Sequence, residues 1–319
     1  MPLTSESSYQ RPNWLFSGHL ETIYPALFRK VELQKPLRER IETPDGDFLD
    51  LDWFSADRPR LVILSHGLEG NSSRPYMLGM AREFWQKGFD VLTWNFRGCS
   101  EEMNRKAIFY HSGATYDLDT VIKHAEKNYS EIFLVGFSLG GNLTLKYLGE
   151  KKFPNPKIRK AVAISVPLDL AKSCEKISTG ENIIYSRRFL TTLKEKVIRK
   201  SQTFPKELDL KMLQKTKTLR DFDNFYTGPL HGFQDAAEYY EINSSLQFLD
   251  QIEVPTLVLN AQNDPFLSDT CFPEKLAKTL ELVHFEFPKH GGHVGFSGPS
   301  REKSYYSERR AVEFITHDL

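Results

Sequence analysis

Six short apolar runs, separated by amphipathic segments, govern what this chain can fold into. They fall at 61–64, 91–94, 132–135, 161–166, 256–259 and 283–287. Most are continuously apolar, as strands covered on both faces should be. Between them, 76–86, 114–128 and 141–149 read as helices. Strands that alternate with helices imply a mostly parallel sheet with right-handed crossovers, flanked by helices in an α/β architecture. Ahead of the first run, 39–43 and 48–54 predict a hairpin around Pro44-Asp45-Gly46, with Leu49, Leu51 and Trp53 alternating along its second arm. These would be antiparallel edge strands.

The alternation lapses between about 170 and 250. That stretch has helical periodicity at 189–198, little strand character, and an aromatic-rich end at 222–240. It predicts a mainly helical insertion between two sheet strands, placed over the carboxyl ends of the strands where open α/β sheets bind ligands. The expectation is one domain over 1–319 with a cap at about 170–250. The aromatics Phe222, Phe225, Tyr226, Phe233, Tyr239 and Tyr240 suit either an apolar acyl pocket or ordinary cap packing. Near the start, Arg11-Pro12 and Tyr24-Pro25 break an aromatic-rich stretch that reads as ordered.

Bulk properties exclude several classes. Lys and Arg number 42, as do Asp and Glu, so no general electrostatic drive toward nucleic acid exists. The basic stretch 194–217 is interrupted by acidic and apolar residues and predicts a solvated helix face. Cys99, Cys174 and Cys271 are odd in number and sit in no ligand spacing, which points to a reducing compartment without disulfides or structural zinc. The first ten residues lack the basic start and apolar run of a secretion signal. No apolar stretch reaches the roughly eighteen residues of a membrane span. The expectation is a soluble, cytoplasmic protein.

Residues 131–149 read EIFLVGFSLGGNLTLKYLG. A strand runs into Gly136-Phe137-Ser138-Leu139-Gly140 and a helix follows at once. This GxSxG in its strand-turn-helix context makes Ser138 the candidate nucleophile. The turn strains the serine backbone, and a side chain at either glycine would collide with the neighbouring strand or helix. A bare GxSxG arises by chance about 0.1 times in a chain of this length, so the context and its partners carry the reading. In sheets with this turn a second oxyanion donor follows the third strand. Here that segment is Ser65-His66-Gly67-Leu68-Glu69-Gly70-Asn71. The backbone amides of Leu68 and Leu139 are therefore the candidate oxyanion donors, and His66 is expected to brace the loop.

The general base should lie after the last strand and the acid after the strand before it. Pro288-Lys289-His290-Gly291-Gly292-His293 offers two histidines. His293 is preferred, because the glycine pair lets the loop turn its imidazole back over the sheet edge; His290 is expected to pack the loop. For the acid, Asp264 follows strand 256–259 at an Asp-Pro turn, and Asp169 is the alternative. No metal or organic cofactor is required.

These residues sit in a wider set of strings. The set comprises Gly18-His19-Leu20-Glu21-Thr22-Ile23-Tyr24-Pro25, His66-Gly67-Leu68-Glu69-Gly70, Asn95-Phe96-Arg97-Gly98-Cys99-Ser100, Gly136–Asn142 and Gly291–Phe296. In them the chain resembles, over nearly its whole length, the YheT-like branch of the α/β-hydrolase superfamily. That branch includes bacterial YheT proteins, plant embryogenesis-associated proteins and animal membrane-associated lipid hydrolases. The resemblance implies an α/β-hydrolase fold, the triad Ser138, Asp264 and His293, and esterase or lipase-like action on carboxylic esters, lipid-derived in some members. Arg97 and Gly98 gain no catalytic role from it, and Cys99 reads as a small buried residue. Animal members carry an N-terminal anchor, whereas this chain is expected to start with the soluble portion, so contact with a membrane would be peripheral. Thioesterase or lipase action with the same triad, and a non-catalytic ligand-binding protein of this fold, are the alternative functions. Oligomeric state and acyl group are unspecified by the sequence.

Overall fold

The computed structural model describes residues 3–4, 7–298 and 304–317. Nine strands form one sheet: β1 (Leu3–Thr4), β2 (Leu37–Glu42), β3 (Phe48–Phe54), β4 (Arg60–Ser65), β5 (Asp90–Asn95), β6 (Glu131–Phe137), β7 (Ile158–Ile164), β8 (Thr256–Leu259) and β9 (Val283–Glu286). Their spatial order is β1-β9-β8-β7-β6-β4-β5-β3-β2. The β2–β3 hairpin joins antiparallel to β5 at one edge, and every other pairing is parallel. Parallel register aligns Ser65 with Gly136, Phe137 with Ile164, and Ile164 with Leu259. The carboxyl ends of β4, β6, β7 and β8 therefore emerge side by side.

The apolar runs are continuous because both faces are covered. Along β4, Val62 and Leu64 pack with the helix Pro75–Gln86 and the C-terminal helix Tyr306–Thr316. Leu61 and Ile63 face the opposite core, which holds Leu118 and Val121 of the helix Thr115–Ala125 and Leu143 of the helix Leu139–Gly149. Four helices lie ahead of β7: α1 (Gly18–Phe28), α2 (Pro75–Gln86), α3 (Thr115–Ala125) and α4 (Leu139–Gly149). Between β7 and β8 the chain turns helical through α5 (Leu170–Ile177), α6 (Ile183–Ser201) and shorter pieces that end with Ser245–Gln251. This excursion has its own core, including Leu190, Leu193, Val197, Leu219 and Phe222, into which Phe109 and Phe266 of the main body project. Asn142 of α4 ties it down: its Nδ2 donates to Ser112 O at 3.0 Å and Asn243 O at 2.8 Å, and its Oδ1 accepts from Ser245 N at 2.9 Å.

Three features differ from the sequence reading. The Tyr24-Pro25 segment does not interrupt the aromatic-rich stretch; Pro25 lies inside α1. Proline removes the amide that the Glu21 carbonyl would have accepted, and Gly295 packs so closely on that carbonyl that a Cβ would overlap it. Second, the basic stretch is a solvated face only in part: Arg199, Lys206, Lys211, Lys215 and Lys217 are exposed. Lys194, Lys196 and Lys200 turn inward, and Lys200 donates to the carbonyls of Lys106 and Ile108. The reason is helical spacing: Leu193, Lys196, Val197 and Lys200 share one stripe of α6, and the stripe is packed against the body. Third, Tyr306–Thr316 supplies a helix that the run pattern does not announce.

Candidate active site

Ser138 stands directly between β6 and α4. Its amide donates to Ile164 O at 2.8 Å, and its backbone sits at φ 52°, a region that L-residues rarely occupy and that costs about 1–3 kcal/mol. The flanking glycines explain how the turn fits. A Cβ on Gly136 would overlap Gly140 O, and one on Gly140 would overlap the carbonyls of Ser65 and His66 at the end of β4. α4 and β4 thus pack in direct backbone contact, which lifts the serine off the sheet edge. Leu139 opens α4, so its amide has no intrahelical acceptor.

The β4 loop lies against the serine: a Cβ on Gly67 would sit 3.7 Å from Ser138 Oγ. Its amides are committed one by one. Gly67 N donates to Tyr76 Oη at 3.0 Å, Glu69 N to Tyr110 Oη at 2.8 Å, and Gly70 N to Gly67 O at 3.0 Å. Leu68 N bonds to none of the described residues. His66 braces the loop: its Nδ1 donates to Gly67 O at 2.7 Å, and its Nε2 accepts from Phe96 N at 3.1 Å. Burial holds its pKa down at about 3, so the ring is neutral. Glu69, at φ 52°, accepts from Tyr110 Oη at 2.8 Å and pairs with Lys196 Nζ of α6 at 2.7 Å. Both members of that pair are largely buried.

On the other side, Asp264 Oδ2 lies 2.8 Å from His293 Nδ1, and both side chains are buried. A carboxylate can only accept, so Nδ1 carries the hydrogen, and in the neutral ring the lone pair is then on Nε2. Asp264 Oδ1 accepts from Phe266 N at 2.8 Å, and the Phe266 ring packs on the imidazole with centroids 4.1 Å apart. Four consecutive amides fix the histidine loop. Gly291 N donates to Glu21 Oε1 at 3.2 Å, Gly292 N to Asn263 Oδ1 at 3.1 Å, His293 N to Thr22 Oγ1 at 2.8 Å and Val294 N to Ser165 Oγ at 2.9 Å. Gly291 and Gly292 both have positive φ, at 140° and 58°. A Cβ on Gly292 would lie 2.7 Å from Gly18 O.

Ser138, Leu139, Gly67, Leu68 and His293 line one cavity of about 520 Å³. Its remaining wall is mostly apolar and comes from α1, the helical excursion and the main body, with Ile23, Leu27, Ile177, Phe189, Leu193 and Phe266 among the contributors. Among the described residues no hydrogen bond engages Ser138 Oγ. The alternatives fall elsewhere. Asp169 caps α5 by accepting from Lys172 N at 3.0 Å, and His290 does not reach the cavity wall. Of the aromatics in the excursion, Phe222, Tyr239 and Tyr240 reach the cavity, whereas Phe225, Tyr226 and Phe233 belong to packed cores. Among the described residues no group of three or more His, Cys, Asp or Glu side chains is arranged to hold a metal ion. No helix among them is long and apolar enough to cross a membrane.

The family model for the alpha/beta hydrolase fold matches residues 60–298. The chain belongs to the α/β hydrolase fold family. Within the family it joins the YheT-like branch: Escherichia coli (strain K12) YheT, a protein named as an esterase, is 35% identical over 308 residues, covering 93% of this chain and 90% of that one. Phospholipase ABHD3 of Homo sapiens is 31% identical over 329 residues, 98% of this chain and 80% of that protein. The solved esterase Pf2001 of Pyrococcus furiosus shares the fold at a TM-score of 0.58 and 17% identity, covering 90% of this chain and 97% of that one. The branch is of esterase and lipase type.

Several residues that hold this α/β hydrolase site together carry no role in the sequence reading. Glu21 and Thr22 bind the histidine loop from across the chain, Tyr76 and Tyr110 bind the β4 loop, and Lys196 reaches that loop from the excursion. Arg97 is structural as well. It is buried, and it pairs with Asp117 at 2.7 Å, Asp45 at 2.8 Å and Asp47 at 3.1 Å, tying the hairpin turn to α3. Cys99 is buried, and burial raises its thiol pKa to about 11, so it stays protonated.

Proposed function

We propose that this protein is a serine hydrolase of carboxylic esters, acting on acyl esters of lipid type through an acyl-enzyme. The observation that carries the reading is the Asp264–His293 hydrogen bond. It presents an oriented imidazole on the same cavity wall as a serine held in a strained strand-to-helix turn. Ser138 Oγ attacks the ester carbonyl while His293 Nε2 takes its proton. Asp264 keeps the imidazole oriented and stabilises the imidazolium without taking the proton itself. The amides of Leu68 and Leu139 receive the oxyanion, each worth about a hundredfold or more in rate. His293 then protonates the departing alkoxide, and a water deprotonated by the same nitrogen releases the acid and restores Ser138.

In this reading the helical excursion over 170–250 is a cap on a single hydrolase domain, and its cavity face receives the acyl chain. The apolar lining and the relatives named as esterase and phospholipase support lipid-type esters. The test is a chain-length series of p-nitrophenyl esters and their thioesters. Turnover that rises from acetate toward medium chains and vanishes in Ser138→Ala is expected. Thioester turnover exceeding ester turnover would reassign the substrate, and no turnover by folded wild type with any member would contradict the reading.

A further inference from the structure

Most large apolar side chains of this protein are buried, yet a cluster of them is exposed in one place. Phe16 is 72% exposed, Phe28 64%, Leu27 59% and Trp14 54%, with Ile23 and Tyr24 on the same segment. Ile184, at the start of α6, is 71% exposed. Singly exposed apolar residues need no explanation, but a contiguous patch marks an interaction surface. Ile23, Leu27 and Ile184 also line the cavity that holds Ser138, so the patch is the rim of its mouth. The segment is not loose. α1 is fixed to the histidine loop through Glu21 and Thr22, and to α6 by His19, which bonds Tyr185 Oη at 3.0 Å and pairs with Glu181 at 3.1 Å.

The charges around the patch decide what it faces. Between Arg11 and Lys30 the one acidic residue is Glu21, which is buried. From Gly180 to Thr192 the one acidic residue is Glu181, which pairs with His19 at 3.1 Å, while Arg187 and Arg188 are exposed. Arg74 and Arg188 are both exposed and both line the cavity. In a chain of zero net charge, the mouth is apolar with a cationic surround. Aromatic side chains at such an edge favour the boundary between headgroups and acyl chains, and Trp14 and Tyr24 stand edge to face with centroids 4.5 Å apart.

We propose that this rim is a docking surface for an anionic phospholipid bilayer. Phe16, Leu27, Phe28 and Ile184 enter the acyl boundary, Lys30, Arg187 and Arg188 meet the headgroups, and the cavity opens onto the lipid. A second copy of the chain on this patch would close the mouth; a bilayer leaves it supplied with acyl chains. The proposal goes beyond the proposed chemistry and can fail independently of it.

The test is cosedimentation of the full chain, as Ser138→Ala to leave the lipid intact, with phosphatidylcholine vesicles containing about one quarter phosphatidylglycerol. Sedimentation with these vesicles is expected, with about tenfold weaker binding to phosphatidylcholine alone and after Phe16→Asp/Phe28→Asp. Neither substituted residue lines the cavity, so in the Ser138 enzyme the double variant should hydrolyse soluble p-nitrophenyl butyrate within about twofold of wild type. No sedimentation of the parent, or equal sedimentation of the double variant, would overturn the proposal. So would a dimer in size-exclusion chromatography that the double variant splits. Vesicle binding in a protein that hydrolyses no ester would contradict the catalytic reading alone.

Discussion

The two flanks of Ser138 are secured by different physics. On the Asp264–His293 flank, the amides of residues 291–294 are each satisfied by a different side chain: Glu21, Asn263, Thr22 and Ser165. On the Leu68 flank, Tyr76 and Tyr110 take the amides on either side of Leu68, and the loop is tied to the excursion by one buried pair, Glu69 with Lys196. The first arrangement is distributed, so losing one acceptor leaves three. In the second, the tie to the excursion is one ion pair, and breaking a buried pair strands a charge at a cost of about 3–5 kcal/mol. That pair fastens the loop to the segment that also roofs the cavity. The position of α6 and the position of the Leu68 amide are therefore linked.

The comparison can be broken in order of effect. Asp264→Asn should lower kcat by about 10³–10⁴-fold, with circular dichroism unchanged, because it removes the acceptor that fixes the histidine tautomer. Lys196→Met should come next, with a loss of about 3–5 kcal/mol in urea unfolding and a lowered kcat. Adding Glu69→Gln should restore part of that stability. A double variant no more stable than Lys196→Met would show that the pair is not what holds the loop.

A pH experiment sharpens the same flank. Burial depresses the pKa of His66 from 6.5 to about 3. As pH falls below about 6.5 the unfolded chain binds a proton that native His66 refuses until about 3, so stability declines across that window. The decline from this one group should amount to a few kcal/mol and be missing in His66→Gln, read as the difference between the two stability–pH curves. Identical slopes would show that His66 is not held neutral. The smallest effect is expected on the distributed flank: Thr22→Val leaves His293 N unpaired, costing about 1–3 kcal/mol of stability, and lowers kcat by about tenfold or less with KM unchanged. A larger loss than that of Lys196→Met would reverse the comparison.

Legibility in the sequence follows the range of the contacts. The six apolar runs all lie in the sheet, because continuous apolarity is a local consequence of two covered faces. Ser138, Asp264 and His293 stand out as candidates because each follows a strand end and carries its own turn signal. Thr22 does not, since its contact with His293 spans 271 residues and a threonine in a helix carries no local mark. Lys196 was readable in part. Its place on one stripe with Leu193 and Val197 points inward, but a lysine is ordinarily assigned to water, and its carboxylate partner lies 127 residues away. Pro25 misled for a related reason. A proline is a helix breaker by default, and the packing of Gly295 that accommodates it is invisible locally.

With Ser138 as the nucleophile, a fluorophosphonate should label the wild type stoichiometrically at Ser138, located by peptide mass spectrometry, and should not label Ser138→Ala. Folded wild type that takes up no label, or Ser138→Ala labelled as fast as wild type, would contradict that role.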